Sequence, residues 1–201
     1  MPSTFNPEEQ VNNIDFKLIY SLERLSQVYK TLLLQTQVET SLSPIQSQII
    51  IFMFFHNDSR ISVSLFASEF SVKKSTISDA VKTLVTKNLV KKEQDSLDKR
   101  KQYLKLTKDG LELAQRIQNY TLPLEESLRG FNNKEKINFF SLLTKFLGNL
   151  NNKSLLPALR ICSSCYYYEQ RNKKNYCKLL EAFLNEEEIR VDCQEHIKKD
   201  N

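Results

Sequence analysis

Residues 63–88 read VSLFASEFSVKKSTISDAVKTLVTKN, and two apolar stripes in this stretch decide the fold. Leu65, Phe66 and Phe70 share one side of a short helix starting near Val63, while Ile77, Val81, Leu84 and Val85 share one side of a second that ends near Asn88. Between them, Ser71-Val72-Lys73-Lys74 leaves room only for a tight connection. Two short helices joined by a brief turn, the second longer and basic, make a helix-turn-helix. Directly after it, Leu89 to Glu93 and Lys101 to Leu106 read as two strands flanking the polar segment Gln94 to Arg100, a hairpin wing.

Working outward, Thr107 caps a further helix that carries Leu111, Ala114 and Ile117 toward Tyr120. On the other side, Ser43 as N-cap and Pro44 at the first helical position start a helix through the apolar run Ile49 to Phe55, which His56-Asn57-Asp58-Ser59 breaks. Val11 to about Val38 repeats Ile14, Leu18, Ile19, Leu22, Leu25, Val28 and Leu32 at three- and four-residue steps, the mark of a long amphipathic helix with one face to bury. Asn132 with Glu135 is a capping pair for a helix from Asn133 to Leu150 carrying Ile137, Phe140, Leu143, Phe146, Leu147 and Leu150. Long apolar helices at both ends of a small module suggest pairing with a second subunit.

Composition agrees with a mainly α fold. The chain has 201 residues, is 40% hydrophobic and 26% charged, and holds only three glycines, too few for a β-sandwich with many tight turns or for a Gly-rich phosphate loop. The longest apolar run has seven residues, against the roughly 20 that span a bilayer. No basic segment followed by an apolar one opens the chain, so a cytoplasmic location without membrane association is expected. Charge is concentrated. Between Ser71 and Lys108 eleven Lys or Arg face four acidic side chains, a surplus of seven, which leaves −2 for the rest of a chain whose total is +5. A basic island on a near-neutral body is the footprint of a polyanion partner.

The combination of Leu42-Ser43-Pro44, Phe66-Ala67, Val72, Ser75-Thr76-Ile77-Ser78, Leu84, Leu89-Val90, Asp98-Lys99-Arg100-Lys101 and Leu106-Thr107-Lys108-Asp109-Gly110 resembles the MarR family of bacterial winged-helix regulators over about residues 11–150. Asn88 stands where that family commonly has Gly, and Asn tolerates the left-handed conformation. The resemblance implies a homodimer, built from the terminal helices, that binds double-stranded DNA at a pseudo-palindromic operator and usually represses transcription until an effector alters it. The chain is expected to divide into an N-terminal dimerisation helix (1–40), a winged helix-turn-helix (41–110) and C-terminal dimerisation helices (111–153), followed by a Cys-rich appendage (154–201) on which the resemblance is silent.

A recognition helix enters the major groove by its N-terminal end, which places Lys74, Ser75, Thr76, Ser78 and Asp79 near base edges and lets Lys82 reach phosphate. Ser71 and Ser75 also suit helix capping. On the wing, Arg100 is the residue for the narrow minor groove, with Lys99 and Lys101 beside it and Asp98 orienting Arg100 or Lys101 by an ion pair. Arg100→Ala is expected to weaken operator binding without unfolding the protein.

All four cysteines lie near the C-terminus: Cys162-Ser163-Ser164-Cys165, then Cys177, then Cys193 with His196 three positions on. The spacing C-x2-C-x11-C-x15-C supplies four thiolates for zinc or an iron–sulfur cluster, with His196 able to replace Cys193, and a metal centre would stabilise a segment too small for a core of its own. Tyr166, Tyr167 and Tyr168 would cover the site, and Cys177 would open a helix with Leu179, Leu180, Phe183 and Leu184. A metal-free thiol switch and, less favoured, a dithiol oxidoreductase using Cys162 and Cys165 are the alternatives. His56 reads as an exposed residue at a helix C-terminus. No nucleophile elbow, His-Glu-x-x-His or phosphate loop occurs, so no enzymatic activity is expected.

Overall fold

The computed structural model describes residues 2–56, 61–95, 98–99, 101–152 and 160–199. A short helix α1 (Pro7–Gln10) precedes α2 (Ile14–Thr40), α3 (Pro44–Phe55), α4 (Val63–Glu69) and α5 (Lys74–Thr86). The strands β1 (Val90–Gln94) and β2 (Gln102–Leu106) follow, then α6 (Lys108–Ile117), α7 (Leu122–Ser127) and α8 (Asn133–Asn152). This is the winged helix-turn-helix with long terminal helices that the apolar periodicity gives. Asn57, part of the expected break after His56, and Arg100 at the wing tip lie outside the described residues, as do Asp58 and Ser59.

Caps set the boundaries. Asn13 accepts from the Phe16 N–H at 3.1 Å and starts α2, and Ser43 N–H donates to Gln46 Oε1 at 2.9 Å at the start of α3. Thr107 Oγ1 accepts from Gly110 N–H at 3.0 Å. Asn132 and Glu135 close a reciprocal pair before α8 at 2.8 and 3.0 Å.

The core sits where α3, α4, α5, α6 and the wing meet. Leu42, Ile49, Ile50, Phe66, Ile77, Val81, Leu84 and Val90 are fully buried there. Phe66 stacks on Phe70 at 5.7 Å between ring centres and meets Phe52 edge-on at 5.5 Å, so α3 and α4 are joined by aromatic contact. Leu104 N–H donates to Ile61 O at 2.8 Å, which ties the segment before α4 to β2. Where α2 crosses α3, the buried Thr36 hydroxyl donates to Leu33 O at 2.7 Å and lies in a 3.1 Å hydrogen bond with the Ser47 hydroxyl.

Among the described residues, nothing covers the long stripe on α2. Ile14, Leu18, Ile19, Leu22, Leu25 and Val28 are all exposed, and only Leu32, Leu33 and Thr36 are buried along that helix. Phe139, Leu142 and Phe146 of α8 are exposed as well.

The C-terminal appendage is a three-stranded antiparallel sheet in the order β3 (Tyr168–Arg171), β4 (Lys174–Cys177), β5 (Ala182–Leu184). Asn172 and Lys173 both take positive φ, 50° and 62°, the backbone of a two-residue hairpin turn whose twist matches the flanking strands. Cys177 therefore ends a strand and opens no helix, contrary to the sequence expectation. Leu179, Leu180, Phe183 and Leu184 have helical spacing, but Glu181 is left-handed (φ 52°) and reverses the chain into β5. The appendage lies against α8, where Ser141 Oγ donates to Glu186 Oε2 at 2.8 Å.

Candidate nucleic-acid interface and cysteine cluster

Helix α5 divides cleanly between two environments. Ile77, Ala80, Val81 and Leu84 are buried, which turns Lys74, Ser75, Thr76, Ser78 and Lys82 outward, all of them exposed. The N-cap is Lys73, and no side chain caps the helix. Ser75 thus lies inside the first turn, past the N-cap, and Ser71 takes a left-handed φ of 52° in the turn. The first N–H groups of a 13-residue helix point to solvent with the positive end of its dipole, beside two lysines. Such an end attracts phosphate oxygens.

The wing is registered on the core through Val90, buried opposite Leu106, and through buried Leu104 opposite Lys92. That fixes the pleat and turns Lys91 and Lys105 to the solvent face; Lys92, on the same face as Val90 and Leu104, is exposed as well. Glu93 pairs with Lys105 at 2.6 Å and Lys91 at 2.9 Å, and these two cations hold its carboxyl below the usual range, Lys105 foremost. Lys99 and Lys101 are exposed where the wing turns. Asp98 is half-buried in that turn, its N–H on Asp95 Oδ1 at 2.7 Å and its carbonyl accepting from Lys101 N–H at 2.8 Å.

Helix α5, the wing and α6 are knotted at one junction. Asn88 takes φ 56° as the chain leaves α5, its carbonyl accepts from Thr107 Oγ1 at 2.6 Å, and its side-chain amide donates to Asp109 Oδ2 at 3.0 Å. Leu89 O accepts from Thr107 N–H at 3.1 Å, and a Cβ on Gly110 would stand 2.0 Å from that same oxygen. The Leu-Thr-x-x-Gly segment read from the sequence is this junction. Its Thr caps α6, and its Gly admits the Leu89 carbonyl.

The cysteines are separate from this surface. All four are unpaired, Cys162 and Cys165 buried, Cys177 and Cys193 half-buried. Cys162 begins a 3-10 turn in which Cys165 N–H donates to Cys162 O at 2.9 Å. Arg190 N–H donates to Cys162 Sγ at 3.3 Å. Burial pushes the Cys162 thiol up. That environment does not suit the exposed, low-pKa thiolate of a dithiol oxidoreductase. Cys162, Cys177 and Cys193 line one small cavity with Leu179, Leu180 and Leu184. Among the described residues, no three His, Cys, Asp or Glu side chains form a group arranged to hold a metal ion. His196 bonds Ser164 Oγ through Nε2 at 2.9 Å, and burial holds its pKa down. It braces the Cys162–Cys165 turn from outside the cavity. Of the three tyrosines, Tyr166 is exposed, with Lys178 Nζ 4.4 Å above its ring.

His56 is not the exposed terminus residue its position suggests. Its ring stacks on Phe52 at 4.0 Å, with Nδ1 3.0 Å from Phe52 O and Nε2 2.8 Å from Asp192 Oδ2 in the cysteine appendage. Arg160 completes the seam: Nε pairs with Asp192 Oδ1 at 2.9 Å, Nη2 lies 3.2 Å from Glu69 Oε2, and the guanidinium sits 5.3 Å from the centre of the Phe52 ring. Nη2 is buried and has a charged neighbour in Glu69 but no acceptor in hydrogen-bond alignment among the described residues. Sequence reasoning missed this seam entirely.

The fold and its exposed basic helix define a winged helix-turn-helix protein. The sequence model of the MarR family matches residues 40–101. Among solved structures, MepR of Staphylococcus aureus in complex with DNA is similar with a TM-score of 0.58 at 20% identity, over 65% of this chain and 96% of MepR. A MarR-family transcriptional regulator from Silicibacter pomeroyi also gives 0.58 at 20% identity, over 69% of this chain and 92% of its own. A further structure of MepR, described as a transcription regulator of the Staphylococcus aureus multidrug efflux pump MepA, gives 0.52 at 20% identity, over 65% of this chain and 96% of its own. No curated protein matches the sequence. No helix among the described residues is long and apolar enough to cross a membrane.

Proposed function

We propose that the protein is a homodimeric transcription regulator that binds a pseudo-palindromic operator on double-stranded DNA and acts as a repressor. The observation that carries this is the outward face of α5, where Lys74, Ser75, Thr76, Ser78 and Lys82 are all exposed at or near a helix start without a side-chain cap. Laid in the major groove, the first turn offers Ser and Thr hydroxyls to base edges and its N–H groups to a phosphate, while Lys82, two turns on, meets the backbone. Lys99 and Lys101 bring the wing to the neighbouring groove, with Asp98 shaping its turn. The likeness to a protein solved with DNA supports this reading, as does the charge surplus between Ser71 and Lys108. Dimerisation of the uncovered α2 and α8 faces sets two such helices on one side of a duplex. A promoter occupied in this way is closed to polymerase, which is the basis for repression. The four cysteines form, in this proposal, a separate zinc or iron–sulfur centre whose occupancy regulates the DNA-binding part.

Fluorescence anisotropy with duplexes from the promoter regions neighbouring the protein's own gene tests the DNA reading. Log affinity is expected to fall linearly with log salt, and Lys82→Ala to weaken all sequences alike and lower the salt slope by about 1. Ser75→Ala and Thr76→Ala should instead alter preference among duplexes. A flat salt titration would overturn the proposal.

A further inference from the structure

The β3–β5 sheet has two faces with opposite surroundings. Pairing sets Tyr168 opposite Cys177 and Gln170 opposite Asn175, and this face turns toward α8: Tyr168 OH donates to Asn175 Oδ1 at 2.6 Å, Asn175 Nδ2 donates to Glu186 Oε1 at 3.2 Å, and Glu186 is held by Ser141. The alternate residues point the other way. On that outer face Arg171 stands opposite Lys174, and Tyr176 lies between Glu169 on one side and Phe183 on the other. The rings of Tyr176 and Phe183 meet edge-on with centres 5.1 Å apart, and the Arg171 guanidinium lies 3.7 Å over the centre of the Tyr176 ring. Phe183 is 55% exposed, and Arg171, Lys173 and Lys174 are exposed at the hairpin end.

Three features of this face work against the stability of so small a sheet. Arg171 and Lys174 are like charges directly opposite each other, Lys173 holds a φ of 62° that glycine adopts freely, and Phe183 leaves more than half of a large ring in water. Departures of that kind mark functional surfaces. Of the strand residues only Glu169 is acidic, and it is tied to Arg171, while Glu186 lies on the side of α8. We propose that the outer face of this sheet binds single-stranded nucleic acid, with a base stacked on Phe183, another on the outward plane of Arg171, and the phosphates on Lys173 and Lys174. An unpaired strand offers free base faces to flat π surfaces and its phosphates to cations. A duplex keeps its base faces inside its own stack, so an exposed ring on an open sheet suits the single strand. The site uses no residue of α5 or the wing, and it goes beyond the operator reading.

The test uses the full-length protein in fluorescence anisotropy with a labelled oligothymidylate and a labelled oligouridylate, each about 12 nucleotides long. Binding to one or both is expected, and the tighter of the two distinguishes DNA from RNA as the source of the strand. Phe183→Ala should weaken it about tenfold, the loss of one base stack, and leave the affinity for promoter duplexes unchanged. Lys173→Gly with Lys174→Gln should weaken it as well and lower the salt slope by about 1.4, two phosphate contacts of a single strand. Glycine suits the turn better than lysine does, so that variant stays folded and its loss is one of contact. No binding of either oligonucleotide, or binding that both variants leave intact, overturns the proposal. Binding that Lys82→Ala abolishes places the strand on α5 and overturns it too. Displacement by oligoglutamate but not by unlabelled oligonucleotide assigns the face to an acidic protein, with the same result. Duplex binding is measured on the same samples, so failure of the operator reading and failure of this site are told apart.

Discussion

At the scale of single residues, the junction around Asn88, Thr107 and Gly110 does the most with the fewest atoms. Gly110→Ala would drive a methyl group into the Leu89 carbonyl, a backbone atom that cannot swing aside, and is expected to cost about 2–4 kcal/mol. Thermal unfolding of the variant checks this, and an unchanged Tm would mean that the wing can retreat without penalty. Asn88 gives a finer measurement. Its φ of 56° and its amide bond to Asp109 both favour Asn, so Asn88→Ala should cost about 1–2 kcal/mol while Asn88→Gly loses only the amide bond. If Ala were the milder change in chemical denaturation, left-handed backbone would not be what selects the residue.

At the scale of elements, the legible parts are those whose signals are local. Ser43 with Pro44, Thr107, and Asn132 with Glu135 each announce a helix within four residues, and each was found at its place. Helix α5 was legible because Ile77, Val81 and Leu84 repeat at helical spacing over about two turns within a 13-residue helix. Leu179, Leu180, Phe183 and Leu184 misled because four residues satisfy a helical spacing and a tight reversal equally well, and the left-handed Glu181 leaves no trace in composition. His56 could not have been read at all, since its partner Asp192 is 136 residues away and only the docked appendage brings them together. The β3–β4 hairpin supplies a prediction at this scale. Lys173 occupies a φ of 62° that glycine adopts freely, so Lys173→Gly should stabilise the appendage by about 0.5–1 kcal/mol. Hydrogen exchange of the β3–β4 amides reads it directly, and faster exchange would contradict it.

For the molecule as a whole, the proportion of uncovered apolar surface matters most. Leu18 is 56% exposed on α2, and Leu142 is 68% exposed on α8, each within a stripe of like residues. A second copy of the chain is the occupant proposed here, because the two stripes lie on the terminal helices and two-fold pairing covers both at once. Leu18→Asp with Leu142→Asp places four buried charges in such a pair and should yield a monomer by sedimentation, with operator affinity reduced at least tenfold, about 1.4 kcal/mol. A wild-type chain that sediments as a monomer would remove the pairing.

The carbonyl of Leu89 has a last consequence. It is seated between Thr107 and Gly110 with no slack, so β1 and the first turn of α6 turn together as one lever. In the proposed pair, a torque that the second copy puts on α6 would therefore be passed on to the wing, and the tilt of α6 would set the span between the two wingtips.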